Sequence, residues 1–130
     1  MQDPFGNNWY VATHTAKPGS YIYPGLPQML TPYLHPRGAS ELIEFLQKAF
    51  DAEDVEVARS PEGRVIHGKI RVGNSVIEMS GAHGAWGPMG ASLHLYVKDA
   101  DATYKRALEA GATSLFPMKD AEYGERIGGI

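Results

Sequence analysis

From Val65 to Ser80 the side chains change character at almost every residue, and this alternation places an antiparallel hairpin at the centre of the chain. Ile66, Gly68, Ile70 and Val72 fall on one face, with His67, Lys69 and Arg71 on the other, the period of two of a half-buried strand. Gly73-Asn74 supplies the turn, and Ser75 to Ser80 returns with Ile77 and Met79 on the apolar side.

A helix precedes the hairpin. Leu42, Phe45, Leu46, Ala49 and Phe50 recur at helical spacing between Ala39 and Asp51, and Ser40 is the expected N-cap. A second helix is expected from Ala100 to Ala110, capped by Asp99 or Asp101 and stopped at Gly111. Further strands are expected at Leu30 to His35, Val55 to Arg59, Ser92 to Val97 and around Ser114 to Pro117. The order is strand, helix and three strands, then strand, helix and two short strands. The second unit is one strand short, and the strand-like run Asn8 to His14 has no local partner. Pairing that run with the incomplete unit, within the chain or by exchange with a second copy, covers an otherwise bare edge. The Gly-, Pro- and Tyr-rich stretch between them reads as a surface connection.

Composition narrows the chemistry. Cysteine is absent, which excludes disulfides and thiolate ligands or nucleophiles, so any metal must be held by His, Asp or Glu. The net charge is −3, and Lys and Arg are scattered rather than gathered in a stripe; nucleic acid is not an expected partner. No run approaches the roughly 18 apolar residues of a membrane span, and the N-terminus lacks the pattern of a secretion signal, so the expected location is the cytoplasm.

Four segments resemble the glyoxalase, bleomycin-resistance and extradiol-dioxygenase proteins, the vicinal oxygen chelate superfamily. DPFGNNW (Asp3 to Trp9) resembles the start of that fold's last strand, SELIEFLQKAFDAE (Ser40 to Glu53) its first helix, and LHLYVKDADATYKRALEAGA (Leu93 to Ala112) the strand and helix opening its second unit. YGERIGGI (Tyr123 to Ile130) is similar to the segment that normally runs into DPFGN. The resemblance implies an α+β fold of two βαβββ units forming a curved mixed-sheet cup. Residues 1–14 would be a relocated last strand completing the second unit, 15–29 a connector, 30–81 the first unit and 91–130 the second unit without its last strand. The order is that of a circular permutation, or of a tandem array in which a neighbouring strand was kept.

The parity of the strands then fills the cup. Thr31, Tyr33 and His35, His67, Lys69 and Arg71, Glu78 and Ser80, Ser92, His94 and Tyr96, and Asn8, Tyr10, Ala12 and His14 are expected to point inward, with Ile66, Ile70, Ile77 and Met79 facing the helices. Metal-dependent members of the superfamily draw ligands from the first and last strands of each unit, and those positions match Thr31, Glu78, Ser92 and Tyr10. Only Glu78 is a competent ligand. A shifted set of Glu78, His94 and His35 is the alternative, suited to one divalent ion, Zn, Ni, Mn or Fe.

Two functions follow from the resemblance. One is a metal-assisted isomerase, lyase or dioxygenase acting on a small oxygenated metabolite, with Glu78 and His94 as catalytic groups. The other is metal-free sequestration of an aromatic or cationic small molecule, as in the bleomycin-resistance branch, by Tyr10, Tyr33, His67, Arg71, Tyr96 and Trp86. Simpler roles stand beside these: a solvated His35, a His94 satisfied in the core, and a cross-strand ion pair of Glu78 with Lys69 or Arg71. The loop Gly81 to Gly90, carrying Trp86 and Met89, is either a closing flap or a linker between units. A small-molecule ligand and a homodimer, with or without strand exchange, are the expected partners.

Overall fold

The computed structural model describes residues 2–4, 7–12 and 30–130. The first unit follows the expected order. β1 (Tyr33–Leu34) leads into α1 (Ala39–Phe50), followed by β2 (Glu53–Arg59), β3 (Val65–Val72) and β4 (Ser75–Met79). The sheet order is β1-β4-β3-β2, with β1 parallel to β4 and the other pairs antiparallel. The second unit has α2 (Ala100–Glu109) and a two-stranded antiparallel sheet of β5 (Phe116–Asp120) and β6 (Arg126–Gly129).

The core is the interface of α1 with the first sheet. Ile43, Leu46 and Ala49 on α1 are buried, and Ile70 and Met79 opposite them are fully so. Each large side chain removed from water here contributes about 1.5–3 kcal/mol. Gly68 permits the close approach of helix and sheet: a Cβ there would stand 3.2 Å from Met79 Cγ and 3.6 Å from Ile43 Cδ1.

α1 ends in a left-handed residue, Asp51 at φ 53°, and the Asp51 and Ala52 N–H groups both turn back to the Leu46 carbonyl, the latter at 3.3 Å, closing the helix. The Asp51 carboxylate then accepts from Arg106 of α2 at 2.6 Å, tying the helices of the two units together. Asp99 caps α2 as expected, accepting from Ala102 N–H at 2.9 Å, and Gly111 takes the positive φ that follows the helix.

Five expectations change. Ser40 does not cap α1; the N-cap is Gly38, and the Ser40 hydroxyl accepts from Arg59 at 2.8 Å instead. The expected first strand shortens to Tyr33–Leu34, with an isolated bridge from His35 to Met89.

Ile66 does not face the helix. Ala58 pairs with His67 but Arg59 pairs with Val65, so Ile66 is the extra residue of a β-bulge. The bulge reverses the parity: Val65 enters the core at 5% exposure, and Ile66 turns out at 55%.

Ser92 to Val97 belongs to no ladder among the described residues, since a strand needs a paired neighbour as well as an alternating sequence. Likewise residues 8–12 carry only a bridge from Asn8 to Gln2 rather than a strand; Thr13, His14 and the connector 15–29 lie outside the described residues. Among the described residues no helix is long and apolar enough to cross a membrane.

Candidate functional site

The concave side of the first sheet carries a cavity of about 300 Å³ lined by Tyr10, Tyr33, His35, Ile66, Glu78, Ser80, His83 and Trp86. The local sequence explains each placement. Tyr33 and Glu78 sit opposite one another on the paired strands β1 and β4 and project to the same side. Ile66 arrives through the bulge.

Trp86 is delivered by the loop after β4, which the backbone fixes to the end of β1. Ser80 N–H donates to Leu34 O at 3.1 Å, Ala82 N–H to Pro36 O at 3.0 Å, and Met89 N–H to His35 O at 3.1 Å. Within the loop His83 and Trp86 exchange backbone hydrogen bonds of 2.9 and 2.8 Å, so the two side chains are held as a cross-strand pair. The segment Gly81 to Gly90 is thus a wall of the cavity.

The walls are largely aromatic. Tyr10 packs against Tyr33 with ring centroids 5.0 Å apart and against Trp86 at 5.7 Å. His35 lies almost parallel to Trp86, at 5.7 Å and 14°, and 5.2 Å from Tyr33. These separations fall in the range in which aromatic pairs attract, with tilted and offset arrangements favoured.

His35 is buried at 4% exposure, and both ring nitrogens are engaged: Nε2 with the Tyr10 hydroxyl at 3.0 Å and Nδ1 with the Ser80 hydroxyl at 3.1 Å. A neutral imidazole satisfies this arrangement by donating to one hydroxyl and accepting from the other. Burial pushes the His35 pKa below its ordinary value and the nearby charge of His83 adds to the effect, against a smaller opposing contribution from the bond with Ser80.

Glu78 is a half-buried acid whose Oε1 lies 3.3 Å from Lys69 Nζ, the cross-strand ion pair that the sequence offered as its simplest role. His67 lies beside the cavity, with Nδ1 3.5 Å from the Tyr33 hydroxyl. Arg71 is directed to the outer end of the sheet, where it pairs with Glu53 and donates to the Gly73 carbonyl.

His94 and Tyr96 are not brought to this cavity. They stack on each other at 4.5 Å, and both reach Glu125: the Tyr96 hydroxyl donates to Oε1 at 2.8 Å and His94 Nε2 lies 3.7 Å from Oε2. The carboxylate raises the Tyr96 pKa by accepting that hydrogen bond and by its charge.

Glu78, His94 and His35 are not gathered into one donor set. His35 uses both nitrogens on hydroxyls, Glu78 is bridged by Lys69, and His94 stands apart with Glu125. Among the described residues no group of three His, Asp or Glu side chains is gathered closely enough to hold one.

Sequence reasoning missed His83 altogether, and it gave Ser80 only a place on the inner face. The signal for His83 was its position three residues before Trp86 across a Gly-Ala turn. Ile66 was assigned to the wrong side because a bulge leaves no mark in an alternating pattern.

No family profile matches the chain. The uncharacterized protein Mb0911c of Mycobacterium bovis is 34% identical over 110 residues, an alignment that covers 76% of this chain and 72% of that protein. The uncharacterized proteins MT0910 and Rv0887c, from two strains of Mycobacterium tuberculosis, are 34% identical, and the chain spans 65% of each.

Among solved structures, TioX from Micromonospora sp. ML1 superposes with a TM-score of 0.57 at 20% identity, covering 76% of this chain and 82% of TioX. The Arabidopsis thaliana gene product At5g48480 gives 0.52 at 19% identity, covering 66% of this chain and 75% of its own. A putative 3-demethylubiquinone-9 3-methyltransferase, PhnB protein, from Bacillus cereus gives 0.52 at 18%, covering 78% and 88%. At such identities the likeness is one of fold.

Proposed function

The chain belongs to the family of these mycobacterial proteins and shares the fold of TioX, At5g48480 and the PhnB protein; on that premise we propose that it is a vicinal oxygen chelate protein that binds a small planar aromatic molecule without a metal. The observation that carries this reading is the ring of Tyr10, Tyr33, His35 and Trp86 around one cavity of about 300 Å³. That volume is at the lower end of small-molecule sites, about the size for a bicyclic ring system. A flat ligand entering it gains contact with aromatic faces that already hold each other at stacking distance, so little ordering cost falls on binding.

The engaged nitrogens of His35 and the Lys69–Glu78 pair favour sequestration over metal-assisted isomerase, lyase or dioxygenase chemistry. The test is calorimetric titration of chelator-treated protein with 2-naphthamide, a neutral bicyclic probe. Saturable binding that added Zn, Mn, Ni or Fe leaves unchanged is the expected result. Binding that appears only after metal is added would restore the metal site, and a failure of 2-naphthamide to bind would remove the aromatic cup.

A homodimer belongs to the same proposal. Leu93, Leu95 and Val97 alternate with His94 and Tyr96 and are 53%, 39% and 40% exposed among the described residues, apolar groups that a second copy would cover. Light scattering at micromolar concentration reads it: a monomeric mass refutes the dimer and leaves the binding proposal untouched.

A further inference from the structure

A second feature, a wide-open surface depression of about 340 Å³, adjoins the aromatic cup and is lined by Arg37, Ala82, His83, Gly84, Gly87 and Pro88. His83 lines both. From this shared wall we infer that the site recognises an anionic aromatic compound, an aryl carboxylate whose ring lies in the cup and whose carboxylate is received by Arg37 and His83. The inference rests on the aromatic cup proposed above and adds the charge that its ligand must carry.

Three observations support it. Arg37 is exposed at the mouth and makes no ion pair among the described residues. Four of the other arginines are engaged, Arg59 by Ser40 and the Gly63 carbonyl, Arg71 by Glu53, Arg106 by Asp51 and Arg126 by Asp101 and Asp120; Arg64 is also without an ion pair among the described residues but lines neither the cup nor the depression. A guanidinium left open beside a cavity is suited to a carboxylate, whose two oxygens match its paired donors.

Charge across the cup and the depression points the same way. The acid lining the cup, Glu78, is neutralised by Lys69 at 3.3 Å, while Arg37 adds an unpaired positive charge beside the cup and His83 a ring N–H. The carboxylate nearest Arg37 along the chain, that of Glu41, folds back against Gly38 at the start of α1. An aromatic cation would meet the like charge of Arg37, whereas an anion meets a complementary one.

The third observation is geometric. The two-residue turn Gly84-Ala85 locks His83 and Trp86 opposite each other through both backbone hydrogen bonds. The group that would touch the carboxylate and the group that would cover the ring are therefore held at one spacing before any ligand arrives. Gly84 and Gly87 place no side chain into the adjoining depression, and a Cβ at either would meet nothing within 4 Å, so the space stays open.

The experiment compares 2-naphthoate, 2-naphthamide and 2-naphthylmethylammonium by calorimetry, on the full chain and on Arg37→Gln and His83→Gln. For the unaltered protein the carboxylate is expected to bind about tenfold more tightly than the amide, as one charge-assisted contact provides. That preference should shrink to about twofold or less in Arg37→Gln, in part in His83→Gln, and on raising the salt concentration. The ratio is read within each protein, so a general loss of folding in a variant cancels. Equal affinity for carboxylate and amide, a preference for the ammonium compound, or a preference that survives Arg37→Gln would overturn this inference while leaving the cup in place. If none of the three binds, the cup itself is refuted.

Discussion

Replacing Trp86 by Ala is the most direct perturbation of the cup, and its size can be worked from the structure. Trp86 is 40% exposed, and an indole side chain presents at most about 250 Å², so about 100 Å² of it is open to a ligand. A bicyclic probe covering half of that removes about 50 Å² on each partner from water, and about 25 cal/mol per Å² sets a ceiling near 2.5 kcal/mol. Some of this is recovered as the probe settles onto Tyr10 and His35, so the expected loss is about 1.4–2.5 kcal/mol, or about ten- to seventyfold in Kd for 2-naphthamide.

The assay is calorimetry on the variant, with circular dichroism to show that the fold persists; about 150 Å² of the indole is buried against its neighbours Tyr10 and His35, so stability should fall by up to about 4 kcal/mol. Tyr96→Phe is the companion, because Tyr96 is 75% exposed and its hydroxyl is committed to Glu125. It should leave the affinity within about twofold. A loss below about threefold for Trp86→Ala in a folded protein, or a larger loss for Tyr96→Phe, would refute the reasoning that places the ligand against the loop wall.

Acid should weaken the fold through His35. Its pKa in the folded protein lies below the ordinary 6.5, so the unfolded chain takes up the proton first; stability falls as pH drops through that value and levels off once the native ring is also protonated. His35→Gln should flatten this limb in thermal melts taken across neutral to mildly acid pH, and an unchanged limb would assign it to other groups. Gly68→Val adds a branched side chain where a single Cβ already stands 3.2 Å from Met79 Cγ, and urea unfolding should show a loss of about 1–3 kcal/mol. Ile70→Ala empties a fully buried position and should lose about 2–5 kcal/mol in the same assay; a loss under about 1 kcal/mol would mean the α1-sheet core is not packed as described.

The first unit was legible in the sequence because each of its elements carries its own periodicity. The β3-β4 hairpin declares itself by alternation around Gly73-Asn74, and α1 by the spacing of its apolar stripe, both local consequences of backbone geometry. Tyr10, Tyr33, Trp86, Glu78 and His35 were singled out from the chain, and the structure gathers all five on one cavity. His94 and Tyr96 were singled out by the same parity, yet they meet Glu125 on the second unit, because alternation gives the face of a segment and not its neighbour.

What the sequence by itself determined, then, is the order of elements from β1 to β4, the burial of the α1 face and the absence of thiol chemistry. These follow from side-chain type and spacing within single segments. Tertiary structure alone decided the rest. The bulge at Ile66 turned an apolar side chain into the cup, and the pairing of His35 with both Tyr10 and Ser80 brought together groups 25 and 45 residues distant along the chain. The bonds from the Gly-rich loop to β1 set Trp86 over His35 and His83 between the cup and the depression. None of these has a local signature, since each depends on which distant backbone groups satisfy one another.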